Sequence, residues 1–521
     1  MSLKVATAPT APTPEPVPAR PRPGLDPFEI AALVVFAAMS LWVLALDVYQ
    51  VAAHGRVWTG TDGLFLADQM QYLAWIKDAS HHVLASNLFV LRGTPHDYLQ
   101  PVVAISAAIT AVGVAPWVAL LLWKPIAVAA GLIAVRAYAR RTLEDRFERN
   151  AALVLALFFG FFGVIGDEWL PFWSWGYPFG LLAIAAAVGA IVCYDRTRRH
   201  GGVRWAAPAL GMLAAFTHPW QGELVVLIVI GAELATFRRG IPAAQRLALP
   251  AVTIIATGLP LLYYELLEKT DSSWSMAQVG LKHSYSLSAL ALPLLPLIVP
   301  AAFAYTRRPI TFIDAATRVW PFAVLAMYSL SESGFAGAPL HSFAGITIPL
   351  AMLAVEGVRR IGLPRLPRWR LVATVLIAGG TIPAAVFELR TTSEFTEPQG
   401  GSPNFISHGE QRALDYLASS PEAGGVLTRA YMGLLVPVET GRRTYVATCV
   451  WSEPRCAQRV TMTANLMKGL LSPPDARAFV SSTRARFLFE DCRSRGNLPK
   501  LLGSTVQSAR RFGCAAVYEV G

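Results

Sequence analysis

The stretch from residue 55 to residue 101 carries Asp62, Asp68, Asp78, Asp97, His81, His82 and His96. Carboxylates and imidazoles are the side chains that move protons near neutral pH and hold metal ions. Elsewhere, isolated polar residues stand in or beside apolar runs: Asp47, Lys124, His218, the Lys282-His283 pair and His341. An aromatic run, Trp169, Phe172, Trp173, Trp175 and Tyr177, follows Asp167 and Glu168. A charge inside an apolar run is costly and marks function by default. Each group also has a plainer reading. Asp68, at the start of a helical pattern, suits the helix dipole as a cap. Lys124 can snorkel to the interface. A histidine at a helix end is commonly just satisfied there, and tryptophans fit an interfacial aromatic belt.

These residues must be positioned by elements of an unusual composition. The 521-residue chain is 54% hydrophobic and 15% charged, with a mean hydropathy of +0.44. Soluble proteins carry about 25% charged residues, so the expected class is an α-helical polytopic membrane protein. The net charge of +11 comes mostly from arginine, as the excess of basic residues in cytoplasmic loops requires. No basic, aromatic-interleaved soluble surface of the kind a nucleic-acid binder needs is present, so no nucleic-acid partner is expected.

Residues 1–26 are rich in Pro, Ala and Thr and read as a disordered cytoplasmic tail, too rich in proline for a signal peptide. Residues 27–390 read as a bundle of about 11 spans, the first at 28–46. Arg20 and Arg22 precede that span, so it runs outward and places the loop 47–100 outside. Arginine clusters then fall inside at each alternate turn. Segment 100–115 is read as short, interfacial or re-entrant, because an odd number of crossings must separate the acidic loop from the arginine-rich 136–149. The pattern from 68 to 84 reads as an amphipathic helix lying in the interface. The two shortest spans, 205–217 and 319–331, are too short to cross unaided.

Residues 391–406 read as a linker and 407–521 as a small extracytoplasmic α/β domain. Segments HGEQRALDYLASS and CAQRVTMTANLMKGLL look helical; VLTR, ARFLFE and AAVYEV look like strands. Four cysteines in this segment, Cys449, Cys456, Cys492 and Cys514, allow three pairings. Proximity favours Cys449–Cys456 and Cys492–Cys514, which implies an oxidising compartment. No Cys-x-x-Cys spacing supports a zinc site. With no catalytic motif, this domain reads as a recognition or lid domain.

The layout resembles the GT-C glycosyltransferases, membrane enzymes that use polyprenyl-phosphate sugars, including the protein mannosyltransferase and aminoarabinose transferase branch. Their external loop typically reads D-E-x-x-Y-x-x-I-A-R. Here it reads Asp68-Gln69-Met70-Gln71-Tyr72-Leu73-Ala74-Trp75-Ile76-Lys77. Asp68 and Tyr72 match in type and spacing, and Gln69 replaces the second acid. The stretch 96–101, HDYLQP, is similar to the family's proline-marked return to the membrane, and Lys124-Pro125 stands where the family often has Arg-Leu-Pro.

The resemblance implies sugar transfer from a polyprenyl-phosphate donor in the membrane to an extracytoplasmic glycan, lipid or protein of the cell envelope. Asp68, raised in pKa by a shielded site, would act as base, with Tyr72 one turn on. Lys124, His218, His341, Lys282 and His283 would hold the donor phosphate. Trp173 and Trp175 would stack on sugars. A divalent cation, Mg²⁺ or Mn²⁺, would fall to Asp47 and Asp68. Two other readings compete. A transporter or flippase of a lipid-linked sugar would show inverted repeats with broken helices at the midplane. A non-catalytic envelope assembly protein would tolerate loss of Asp68 and Lys124.

Overall fold

The computed structural model describes residues 24–61, 63–160, 166–200, 204–237, 243–280, 285–333, 339–365, 367–398 and 401–521. Its first element, α1 (Pro27–His54), shows why these spans form. Asp26 accepts from the Glu29 amide while Glu29 accepts from the Asp26 amide, Pro27 opens the first turn, and Gly55 closes the helix at φ 60°. At 28 residues α1 is about 42 Å long, more than the ~30 Å apolar core of a bilayer. It turns Phe36, Met39, Ser40, Val43 and Asp47 into the bundle and leaves Ile30, Val34, Val35 and Leu41 outside.

Helix α2 (Leu66–His82) follows the first external turn. Helix α3 (Pro101–Ala111) is short, about 16 Å, and leads to α4 (Pro116–Leu121) and α5 (Trp123–Thr142). The bundle continues with α6 (Arg146–Phe158), α7 (Pro178–His200), α8 (Ala206–Thr217), α9 (Pro219–Ala235), α10 (Ala243–Thr270) and α11 (Ser272–Gly280). It ends with α12 (Leu287–Ala304), α13 (Phe312–Glu332), α14 (Thr347–Arg360) and α15 (Trp369–Thr396). Among the described residues, six segments are long and apolar enough to cross a membrane: α1, α4–α5, α7, α10 from Leu247, α12 and α15. Of the remaining bundle helices, α6, α8, α9, α13 and α14 fall on segments read from sequence as further crossings, and they are shorter or carry more charge.

One end of the bundle is stitched by ion pairs. Arg140 meets Glu29 at 2.8 Å, Arg141 meets Asp195 at 2.8 Å, Arg198 meets Glu233 at 2.8 Å, and Arg318 meets Glu356 at 2.7 Å. These pairs bring together the start of α1, the ends of α5, α7, α9 and α14, and the start of α13. The opposite ends of the same helices therefore share the other side of the molecule, where Asp47, Pro178 and His218 lie.

At that other side the C-terminal domain closes onto the bundle. Strand β1 (Val57–Trp58) pairs antiparallel with β2 (Phe405–Ile406), and the Thr59 hydroxyl donates to the Pro403 carbonyl at 2.8 Å. The stretch expected as a linker is thus ordered at both ends: α15 runs to Thr396, and β2 occupies 405–406. Next come α16 (His408–Ser419), β3 (Val426–Leu427), α17 (Ala430–Thr440), α18 (Cys456–Met467), α19 (Pro473–Thr483) and β4 (Phe487–Glu490). After them come α20 (Leu498–Leu502), β5 (Val506–Phe512) and β6 (Ala515–Val520). The sheet order is β3-β4-β6-β5, with β3 parallel to β4 and the other pairings antiparallel. Sequence patterning misses β5, an exposed edge strand whose Arg510 and Arg511 give no apolar alternation. Cys449–Cys456 and Cys492–Cys514 are disulfide-bonded, as proximity suggested, and Cys193 is free.

Two expectations for α2 need correction. It is not an amphipathic helix lying on a surface: Gln69, Met70, Gln71, Leu73, Ala74, Trp75, Ile76, Asp78 and Ala79 are all buried. Helix α3 and the C-terminal α17 both pack against it and cover the side that would otherwise face water or headgroups. Nor is Asp68 its cap. The cap is Phe65 at φ 47°, with no side-chain bond, and Asp68 is the third helical residue.

Candidate active site

A cavity of about 140 Å³ opens where α2, the turn before α7, the α8–α9 junction, α10, α11 and the C-terminal domain converge. Asp68, Gln71, Tyr72 and Trp75 line it from α2, Tyr177 from the turn before α7, and His218 and Trp220 from the α8–α9 junction. Tyr98, Tyr264, Glu268, Trp274 and His341 complete the bundle side, and Val450 and Trp451 form the wall from the C-terminal domain. The Trp451 indole donates to the Gln71 side chain, and its ring lies 5.3 Å from Trp75 and 4.8 Å from Trp274.

The polar groups of this cavity are partnered in a definite way. The Tyr177 hydroxyl hydrogen-bonds the Asp68 carboxylate, and burial, then the Asp68 charge, push its phenol well above the usual range. Tyr72 stands 4.1 Å from Phe179 and 6.0 Å from Tyr177 and shares a hydrogen bond with Tyr98. Burial raises the Tyr72 and Tyr98 phenols as well. All three phenols therefore stay protonated and can donate.

His341 Nδ1 lies 2.6 Å from Asp167 Oδ2. An ionised carboxylate only accepts, so this contact places a proton on Nδ1 and frees Nε2. The Trp173 indole donates to the Asp167 carbonyl at 2.9 Å and braces that loop. His218 sits 5.2 Å from His341 and 5.3 Å from Trp173, ring to ring. Neither of its nitrogens has a hydrogen-bond partner among the described residues. Burial, then the neighbouring His341, hold its pKa well below the ordinary 6.5, so His218 is neutral.

The structure divides the residues singled out from sequence. Asp68, Tyr72, His218 and His341 share the large cavity. Asp47, Lys124 and Trp175 line a smaller one of about 40 Å³, together with Gln69 and Gly176. Lys124 donates to the Ser40 and Trp175 carbonyls at 3.1 and 3.2 Å. The two cavities adjoin: Asp68 and Tyr177 face one, and their chain neighbours Gln69 and Gly176 face the other. A Cβ on Gly176 would stand 2.3 Å from the Gln69 amide nitrogen, so a larger residue in this wall would displace the Gln69 side chain. Trp173 lies behind the two histidines and does not line the cavity; its aromatic lining comes from Tyr72, Trp75, Tyr98, Trp220, Trp274 and Trp451. Lys282 and His283 lie outside the described residues. Asp47 lines the smaller cavity and Asp68 the larger one beside it.

Sequence reasoning named Asp167 only as an external acid and missed its bond to His341, which spans 174 residues. It also passed over Trp451, whose role depends on the docking of a separate domain. Its neighbours in the chain give no pattern that would reveal it.

No family model and no curated relative matches the chain. Solved structures do. The oligosaccharyltransferase AglB from Archaeoglobus fulgidus, in complex with an inhibitory peptide and a dolichol-phosphate, is similar over 91% of this chain and 72% of its own, at 13% identity and a TM-score of 0.53. ArnT from Cupriavidus metallidurans matches over 94% and 98%, at 15% identity and a TM-score of 0.50. The mycobacterial arabinofuranosyltransferase AftD matches over 95% of this chain and 41% of its own, at 15% identity and a TM-score of 0.54. The fold is that of the GT-C glycosyltransferases. The chain with this fold is an integral membrane protein, with six apolar segments among the described residues of the bundle and a small sheet domain at its C-terminus. Its large cavity lies at the junction of these two parts, built by both.

Proposed function

We propose that this GT-C protein transfers a sugar from a polyprenyl-phosphate donor to an acceptor outside the cytoplasm. One observation carries the reading: a cavity in the GT-C fold holds a carboxylate, Asp68, together with a carboxylate-oriented imidazole, His341. Asp68 takes the proton of the acceptor as its nucleophilic atom attacks the anomeric carbon. The bond from that carbon to the phosphate oxygen breaks, and its electron pair leaves with the phosphate. His341, held through Nδ1 by Asp167, donates from Nε2 to a departing phosphate oxygen in its doubly protonated form, the form in which both ring nitrogens are donors. Lys124, one wall away, adds positive potential on the same side. The Tyr72 and Tyr177 phenols offer donors to sugar hydroxyls, and the tryptophan faces offer stacking surfaces. The two disulfides favour an oxidising, extracytoplasmic side for the C-terminal domain, and the ion-paired arginine end favours a cytoplasmic position.

The test is transfer by the purified protein from labelled polyprenyl-phosphate sugars to envelope acceptors. Asp68→Asn is expected to lower turnover by about 10²–10⁴-fold, the usual contribution of a positioned acid or base. His341→Gln and Lys124→Ala are compared in parallel. Turnover that survives both Asp68→Asn and His341→Gln would remove the site assignment. A carrier moved across liposomes, with no labelled product from any donor, would replace transfer with transport.

A further inference from the structure

Ten residues beyond Asp68, about 15 Å along the α2 axis, a second group of polar side chains meets outside the cavity. Asp78 and His82 are one turn apart on α2, with His82 Nδ1 at 3.0 Å from Asp78 Oδ1. His96 returns from the following segment and places Nε2 at 3.4 Å from the same oxygen. The two imidazole rings stack at 4.1 Å. The other Asp78 oxygen, Oδ2, accepts from the Ser86 amide at 2.7 Å and from its hydroxyl at 2.9 Å. These two bonds fix the carboxylate with Oδ1 directed at both histidines.

We infer that Asp78, His82 and His96 form a binding site for a zinc-class divalent cation. Their three ligand atoms all lie within 4.8 Å of one another. Metal–ligand bonds of about 2.0–2.2 Å in a tetrahedron put ligand atoms roughly 3.3 Å apart, and the separations of 3.0 and 3.4 Å bracket that value. Two imidazoles and one carboxylate suit Zn²⁺ and its first-row neighbours, whereas Mg²⁺ and Ca²⁺ prefer oxygen ligands. Asp78 is buried, and the two histidines are partly exposed, at 52% and 34% of their side chains, which leaves a path for the ion and room for water as a further ligand. The Ser86 bonds to Asp78 are the outer contacts that orient a ligating carboxylate. The charge of Arg443 also acts on Asp78. Its guanidinium, however, is directed to the Asn87 and Arg92 carbonyls and the Thr94 and Ser86 hydroxyls.

The ion would clip together the two ends of segment 83–96. That segment is where the C-terminal domain docks. The Thr444 amide donates to the Leu88 carbonyl, the Asn87 side chain to the Trp451 carbonyl, and the Ser452 hydroxyl to the Phe89 carbonyl, each at 2.9 Å. A cation here therefore holds the platform that sets Trp451 in the cavity wall. The inference stands whether or not the cavity transfers sugar.

The test uses the full chain in detergent, stripped with a chelator and titrated with Zn²⁺ alone, and with Co²⁺ for its visible spectrum. Wild type is expected to take up one tight equivalent, to gain the Co²⁺ absorption of a His-ligated low-coordinate site, and to melt at higher temperature with Zn²⁺. His82→Gln/His96→Gln should bind that equivalent at least about tenfold more weakly, with no Zn²⁺-dependent rise in melting temperature. Asp47→Asn/Asp68→Asn should retain it, which separates this site from any cation in the two cavities. His82→Gln alone, at the more exposed ligand, provides the same comparison if the double variant does not fold. Zn²⁺ uptake unchanged by the histidine substitutions, or absent from wild type, overturns the site.

Discussion

Asp68 and His341 differ in how the chain prepares them. Asp68 gains its setting from a short helix and one phenol, whereas His341 depends on a carboxylate from a distant loop. His218, beside them, has the most definite titration behaviour. Folding buries its ring without a hydrogen-bond partner among the described residues, and the neutral form is favoured by burial first and by His341 second. In the unfolded chain this histidine titrates near its ordinary value of 6.5. Below that pH the unfolded chain takes up a proton that the folded one resists, so stability falls as pH drops from 6.5 toward the depressed folded value. Above 6.5 the contribution is fully present. Thermal midpoints measured from about pH 8 down to about pH 5, the range over which histidine titrates, should decline at the acid end. His218→Gln should flatten that decline. Parallel profiles for the two proteins would show that His218 does not carry the effect.

Between elements, α12 and α14 approach each other closely. A Cβ on Gly357 would lie 1.8 Å from the Pro300 carbonyl oxygen, a backbone atom that cannot swing aside. Close backbone approach through a small residue is a recurrent way for helices to associate in lipid. Gly357→Ala is expected to lower stability by about 1–3 kcal/mol, the usual cost of overpacking, and thermal unfolding in detergent measures it. A midpoint equal to wild type would mean that the helices separate without cost. Helix α2 shows the complementary case, since its surroundings are completed by α17 from another part of the chain. A helix that looks amphipathic by itself is buried because a second domain covers it.

For the molecule as a whole, the C-terminal domain is both a lid on the bundle and part of the cavity wall, and one of its two disulfides ties its small sheet. Cys492 and Cys514 are 22 residues apart and join the end of β4 to the turn between β5 and β6. Closing a loop of this size stabilises a domain by about 2–4 kcal/mol. Cys492→Ser/Cys514→Ser should therefore make the C-terminal domain more easily cleaved by protease while the bundle remains intact. Equal digestion rates with and without the disulfide would show that docking on α2 and β1 is sufficient.

Composition and charge patterning alone determined the membrane class, the placement of arginine at one end of the helices and the presence of two disulfides, because each depends on local sequence and on transfer from water. The match at Asp68 and Tyr72 pointed to the GT-C fold, since a one-turn spacing on a helix survives any tertiary arrangement. Tertiary structure decided the rest. It separated Lys124 and Asp47 from Asp68, because adjacent residues on α2 point to opposite sides of one wall. It joined Asp167 to His341 and Trp451 to Gln71 across 174 and 380 residues. It also set Trp173 beside His218 and His341 and Trp175 in the smaller cavity. Contacts that distant arise from packing geometry, and no periodicity in the chain encodes them. The acid-rich stretch before α3 thus divides in two: Asp68 lines the cavity, and Asp78 with its histidines lies outside it.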